Sequence, residues 1–201
     1  MNPIIVIVGF AGRLLKWFQH MLGKIHLLGL KHAGRGIVIG RSVRIEHPEC
    51  VSLGDGVFLN DYCWISILTE NRETGQSTRE LHPELTIGKG TYIGRFGTLA
   101  CINRVSIGSK VMISDRVFIG DATHGFARPD LPIMEQYISS RGPVEIGDGT
   151  WIGIGVSIMP NVKIGKNCVI GAGSVVTHDV ADFSVAAGVP ARIIRSYAGA
   201  R

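Results

Sequence analysis

The sequence predicts an all-β solenoid, a parallel β-helix wound from six-residue repeats. Three observations predict it. From Ile146 to Val180 an aliphatic residue opens a block at every sixth position: Ile146, Ile152, Ile158, Ile164, Ile170 and Val176. The residue after it is usually Gly. The fifth residue is small or branched, as at Thr150, Val156, Val162, Cys168, Ser174 and Val180. A fixed short period marks a solenoid, and a period of six marks a parallel β-helix. A β-sandwich also has short strands and Gly-rich turns, but it needs no strict period.

Residues 1–35 form a segment of different character. Pro3 to Ala11 is strongly apolar, and Arg13 to Leu22 has helical spacing. The apolar run is shorter than the roughly 20 residues that span a bilayer. No positive residue precedes it and no A-x-A site follows, so it does not read as a secretory signal. Two roles stay open for this short helix. It caps the open end of the solenoid, or it lies in a membrane interface. In the second case residues 1–30 make peripheral membrane contact, with Trp17, Phe18 and Leu22 in lipid and Arg13, Lys16 and Lys24 near headgroups.

The repeat domain spans 36–197. Blocks open at Ile39 and Ile45, at Leu53, Leu59 and Ile65, at Ile87, Ile93 and Leu99, and at Ile107, Ile113 and Ile119, before the run from Ile146. Two-residue slips separate Ile45 from Leu53 and Leu99 from Ile107. Longer interruptions fall at 69–85 and 125–144. Seventeen blocks, three to a coil, give a triangular prism of five to six coils. The opening residue fills the interior, the fifth points inward near a corner, and Gly at the second position relaxes the backbone. No block buries its aliphatic residue alone, so the coils must stack.

The 201 residues suit one domain. Lys and Arg number 21 against 16 Asp and Glu, a net charge of +5 that suits anionic partners such as phosphates. The basic residues are scattered and aromatics are few, which argues against a nucleic-acid interface. Of the four cysteines, Cys63 and Cys168 sit at the inward fifth position and read as small core residues, with Cys50 and Cys101 elsewhere. There is no CxxC pair and no zinc spacing. A reducing, cytoplasmic compartment without disulfides or a metal site is expected.

The blocks match the [LIV]-G-x-x-[STAV]-x pattern, and the chain resembles the hexapeptide-repeat acyltransferases over residues 36–197. Ile170 to Val180 followed by Ala186-Ala-Gly-Val-Pro-Ala-Arg192 looks like their acetyl-CoA-binding end. Ile119-Gly-Asp-Ala-Thr-His-Gly125 resembles the catalytic turn of the branch that O-acetylates sugars and surface polysaccharides. That branch includes maltose, galactoside, colanic acid and lipopolysaccharide acetyltransferases. The resemblance implies a left-handed β-helix, an exception to right-handed crossovers. It implies a homotrimer with acetyl-CoA between neighbouring prisms, and O-acetylation of a saccharide, a surface-polysaccharide or lipopolysaccharide precursor. The N-terminal segment would then hold the protein near the inner face of a membrane.

His124 ends its block just before an interruption, which places it at a corner beside a long loop. Acetyl transfer to a hydroxyl needs a base for the hydroxyl proton, and imidazole titrates near neutrality in general. The family's His at this turn is the general base, and the resemblance carries that role to His124. Asp121 is near in sequence as an orienting or substrate-binding partner. For the cofactor the resemblance implies Gly153, Ile154, Ala172 and Gly173 along the pantetheine arm, with Trp151 packed against it. Thr177 and His178 border the adenine, His178 standing where the family often has Lys. Arg192 and Arg195 suit the phosphates, because guanidinium forks bind them bidentately.

The loops 69–85 and 125–144 mix polar, charged and Pro residues, as a sugar-binding rim does. His82, in the first loop, can approach a substrate. Arg95 lies where sugar acetyltransferases carry an acceptor-binding Asn, and an Arg there fits an anionic acceptor. Other functions share the fold. A streptogramin-type antibiotic acetyltransferase also uses CoA and a His. A γ-class carbonic anhydrase needs three His converging on zinc, and the spacing here does not provide them. A non-catalytic β-helix scaffold would lack CoA binding.

Overall fold

The computed structural model describes residues 27–71, 73 and 78–197. The helix expected in the N-terminal segment lies outside the described residues. Among the described residues, no helix is long and apolar enough to cross a membrane.

Short strands line up in three sheets. The first stacks His32–Ala33, Val51–Leu53, Glu84–Ile87, Arg104–Ile107, Val144–Ile146 and Lys163–Ile164. The second stacks Val38–Ile39, Phe58–Leu59, Tyr92–Ile93, Met112–Ile113, Trp151–Ile152, Val169–Ile170 and Ser184–Gly188. The third stacks Arg44–Ile45, Trp64–Ile67, Thr98–Cys101, Phe118–Gly120, Ser157–Ile158 and Val175–Val176. Every neighbour in these stacks is parallel. Only the last strand, Ala191–Ser196, turns back antiparallel on Ser184–Gly188. The chain visits the first, second and third sheets in rotation, so each circuit contributes one strand to each.

The register shows why a period of six works. Opening residues pair with opening residues one circuit away: Leu59 with Ile93, Ile93 with Ile113, Ile113 with Ile152, and Ile152 with Ile170. All five are buried to within 1% and form one interior column. Each such burial is worth about 1.5–3 kcal/mol. The fifth residues also point inward, and the polar ones are satisfied by backbone. Thr150 donates to the Gly165 carbonyl at 2.8 Å and accepts the Cys168 N–H at 3.0 Å. Ser174 donates to the Gly171 carbonyl at 2.6 Å and accepts the Gly188 N–H. Cys63 and Cys168 are buried as expected, and Cys101 is buried as well.

A second regularity runs along the turns. An Asp at the third position accepts the N–H of the third residue one circuit earlier. Asp55 takes Arg35, Asp61 takes Arg41, Asp115 takes Arg95 and Asp148 takes Ser109, at 2.7–2.8 Å. The tight turns leave these N–H groups outside the sheets, and the carboxylates satisfy them.

Two boundaries differ from the sequence reading. The first strand, His32–Ala33, falls inside the segment assigned to 1–35 and stacks on Ser52 and Leu53. It lacks an aliphatic opener because it is the outermost of the described rungs and is exposed. The long interruptions are also partly strand. The first contains the antiparallel pair Glu70–Asn71 and Arg79–Glu80, and Glu84–Ile87 already belongs to the first sheet. The second contains Ile138–Ser140, which pairs with Ala122–His124 just before the interruption.

Candidate active site

Both loops leave from the same edge, where the third sheet turns toward the first. The first leaves after Trp64–Ile67 and the second after Phe118–Gly120, with Thr98–Cys101 between them. The second loop begins with Asp121 and then Ala122–His124. His124 lies opposite Ile138, the last strand pair before the hairpin's loop. Just past it, the Gly125 N–H donates to the Tyr137 carbonyl at 2.9 Å. A Cβ on Gly125 would meet that oxygen at 2.4 Å, which explains the Gly.

The first loop reaches across to hold this hairpin. Asn71 is buried, and its side-chain amide donates to the Ile138 carbonyl at 2.5 Å. Its Oδ1 accepts the Ile138 N–H at 3.0 Å. The Arg79 guanidinium lies 4.0 Å from the Tyr137 ring centre, a cation–π contact. The residue facing His124 is therefore clamped from another circuit. Asn71 stands inside the stretch that sequence reading treated as a sugar-binding rim, and no local pattern marks it. Asn71→Ala is expected to lower kcat on the order of tenfold while leaving CoA affinity unchanged, because the hairpin under His124 loses its brace. Steady-state kinetics beside a CoA titration would check this.

His124 is exposed and borders a cavity of about 310 Å³. Leu68, Ala100, Ile102, Phe118 and Ile138 supply most of its apolar wall. Cys101 also lines it, but burial pushes that thiol up to about 12, so it is no nucleophile near neutrality. Sequence reading missed this wall. The one signal was the second block position, which points outward here and holds Ser66, Ala100 and Gly120 in register. A second cavity of about 300 Å³ adjoins it at Thr123 and is lined by Arg128, Arg141 and Glu73. Arg128 is already paired with Asp130 at 2.5 Å and with Glu73 at 3.6 Å, and it holds the Asp130 carboxyl down at about 2.

Asp121 is not where the sequence reading put it. It is fully buried, and its carboxylate accepts N–H groups from Ile102 at 2.9 Å, Asn103 at 2.9 Å and Arg104 at 2.6 Å. It is a member of the Asp series along the turns, at the circuit where a two-residue slip leaves three N–H groups to satisfy instead of one. Burial raises its carboxyl against the pull of these donors. A side chain so enclosed can neither contact an acceptor nor orient His124.

Arg95 and His82 are also placed away from the cavity. Arg95 lies at the turn from the second sheet to the third and bridges Asp115 at 2.9 Å, as Arg41 bridges Asp61 at 2.7 Å. Its guanidinium is thus already engaged in the turn series. His82 is exposed between the first hairpin and the first sheet and lines neither cavity at the loop edge.

The residues expected to hold CoA flank the third sheet in the last circuits. Gly153, Ile154, Ala172 and Gly173 lie at its turn from the second sheet. Gly153 is buried, and a Cβ there would stand 2.7 Å from the Ala172 nitrogen, so circuit stacking alone requires this Gly. Ile154, Ala172 and Gly173 are exposed, and Gly173 donates its N–H to the Ile154 carbonyl at 2.8 Å. Trp151 is 46% exposed on the second sheet, its Nε1 donating to the Ser114 hydroxyl at 3.3 Å. Thr177 and His178 bond to one another at 2.8 Å on the opposite edge, in a cavity of about 480 Å³ that also holds Asn161 and Lys163.

Arg192 and Arg195 lie on the closing antiparallel strand. Arg192 pairs with Ala187 and Arg195 with Val185, because a register shift inserts one residue between them. Three steps on one strand therefore match two on the other. Positions two apart share a face, so the bulge brings both arginines to the same side. The sequence alone, read as a regular strand, would put them on opposite sides.

The family described as "Bacterial transferase hexapeptide (six repeats)" matches residues 143–178. A Saccharomyces cerevisiae protein that carries the name of an acetyltransferase is 41% identical over 154 residues, covering 68% of this chain and 77% of its own length. A maltose O-acetyltransferase structure from Clostridium difficile superposes with a TM-score of 0.57 at 29% identity, covering 86% of this chain and 73% of that one. AntD, an N-acyltransferase from Bacillus cereus, shares the fold with a TM-score of 0.68 at 24% identity, covering 86% and 87%. The chain spans about half the length of other relatives it matches, 51–54% of each. Repeat, strand order and likeness to these relatives agree, and the chain belongs to the hexapeptide-repeat acyltransferase family.

Proposed function

We propose that this chain is a left-handed β-helix that moves an acetyl group from acetyl-CoA to a saccharide hydroxyl, with His124 as general base. The observation that carries the reading is an exposed imidazole on the rim of a cavity, braced by a hairpin that a second loop clamps. In the reaction, the acceptor hydroxyl gives its proton to His124 as its oxygen attacks the thioester carbonyl. The tetrahedral intermediate collapses, the C–S bond breaks, and the sulfur leaves as CoA thiol with the proton. The acceptor keeps the acetyl ester. The kinship with a maltose O-acetyltransferase supports a saccharide acceptor.

The cofactor side rests on the last circuits. Exposed Ile154, Ala172 and Gly173 offer a smooth edge for pantetheine. Arg192 and Arg195, sharing a face, suit the phosphates. His124 and the Ile154–Ala172 edge lie on opposite sides of the third sheet. A homotrimer that sets one copy's edge against its neighbour's His124 would complete each site, and this supports assembly as a trimer. A surface-polysaccharide precursor fits such an acceptor, near the inner face of a membrane if residues 1–30 touch lipid.

Release of CoA thiol that depends on a sugar acceptor tests the reading, and its absence across sugars, nucleotide sugars and lipid-linked sugars would reject it. Arg192→Ala is expected to weaken CoA binding on the order of tenfold, as one charge-assisted bond is lost. Isothermal titration with CoA and with dephospho-CoA would locate the loss at the phosphates; an unchanged affinity would remove Arg192 from the site.

A further inference from the structure

The cavity beside His124 has a chemistry of its own. Among the described residues, no Asp, Glu, Lys or Arg side chain lines it, and Leu68, Ala100, Ile102, Phe118 and Ile138 dominate its wall. The polar groups around it are already occupied. Ser66 donates to a Glu46 carboxylate oxygen at 3.0 Å. Thr123 donates to the Ser139 carbonyl at 3.3 Å. The backbone of Ile138 is taken by Asn71 at both its carbonyl and its N–H. Asp121, which could have supplied a charge, is turned inward. The space exists because the outward row is small: a Cβ on Gly120 would meet the Phe118 ring at 2.8 Å and the Ala100 Cβ at 3.2 Å.

A bare hydroxyl pushed against this wall would exchange its water shell for at most a lone pair of Ser66 or Thr123, whose protons are already committed, and a carboxylate or phosphate, which needs donors, would fare worse. A methyl or methylene group would gain by burial. We propose that the acceptor presents a hydrocarbon substituent beside the hydroxyl that is acetylated, as a deoxy sugar does. Uronates and phosphosugars are excluded at this position. The proposal rests on the transferase reading and narrows its substrate class.

Three nitrophenyl glycosides that differ only at carbon 6 provide the test: the β-galactoside, its 6-deoxy counterpart and the galacturonide. Thiol release from acetyl-CoA is followed with the full chain. The 6-deoxy sugar is expected to exceed the galactoside by about tenfold or more in kcat/KM, the scale on which an apolar pocket rejects an added hydroxyl, and the galacturonide is expected to be the poorest. Ala100→Ser places a hydroxyl on the wall and is expected to bring the first ratio toward one without changing CoA affinity. A native ratio of one or below overturns the proposal, and it does so whether or not the variant folds. So does a preference for butyryl-CoA over acetyl-CoA with equal use of the glycosides, since that puts the donor's acyl chain in the cavity. Absence of thiol release with these glycosides, with nucleotide sugars and with lipid-linked sugars alike would reject the transferase reading itself, and this proposal would fall with it.

Discussion

Replacing His124 by alanine is expected to slow acetyl transfer on the order of 10²- to 10⁴-fold, the usual worth of a positioned general base. CoA affinity is expected to stay nearly constant, because the residues proposed to support the cofactor lie on other circuits and the imidazole itself is exposed. The fold is expected to survive, since the His124 side chain is no part of the interior column or of the Asn71 clamp. Thiol release at saturating acetyl-CoA, set beside a CoA titration of the same variant, separates rate from binding. A variant that turns over at the native rate would remove His124 from the reaction. The reading would then need another base, and Cys101 could not supply it, because burial holds the thiol protonated.

Asp121→Ala is expected to act on stability. The carboxylate satisfies three backbone N–H groups in a site with no exposure, and alanine leaves all three without a partner. Each unsatisfied buried group costs about 1–3 kcal/mol, and relaxation or entry of water recovers part of the sum, so a loss of about 3 kcal/mol is expected. Asp121→Asn retains one acceptor oxygen and is expected to lose less. Denaturant midpoints of the three proteins would rank them native, Asn, Ala. If alanine matched the native midpoint, the buried carboxylate would not be what holds the turn over 102–104.

Most of the winding was legible because it repeats. A period of six aligns Leu59, Ile93, Ile113, Ile152 and Ile170 in one column, and each circuit restates the same steric rule. His32–Ala33 was not legible, since it pairs with a single strand among the described residues and carries no large aliphatic opener. His124 stood out as a candidate because it stands where the repeat stops. Its surroundings could not, for Asn71 and Ile138 are 67 residues apart and meet only because two loops leave one edge. Asp121 and Arg95 both looked free in the sequence for a common reason. Charged residues at the third block position look free in a sequence, and the turns of this winding consume them.

The clamp between Asn71 and Ile138 has a bearing on how such a chain can diversify. The repeats supply a frame whose rigidity does not depend on what hangs from it, so excursions can lengthen, shorten or change composition at little thermodynamic expense. Here the two excursions are tied together across an intervening circuit, and the tie passes through the residue facing His124. A change in either excursion is therefore felt by the other. One exchanged alone would leave the scaffold intact and the partner hairpin without its brace.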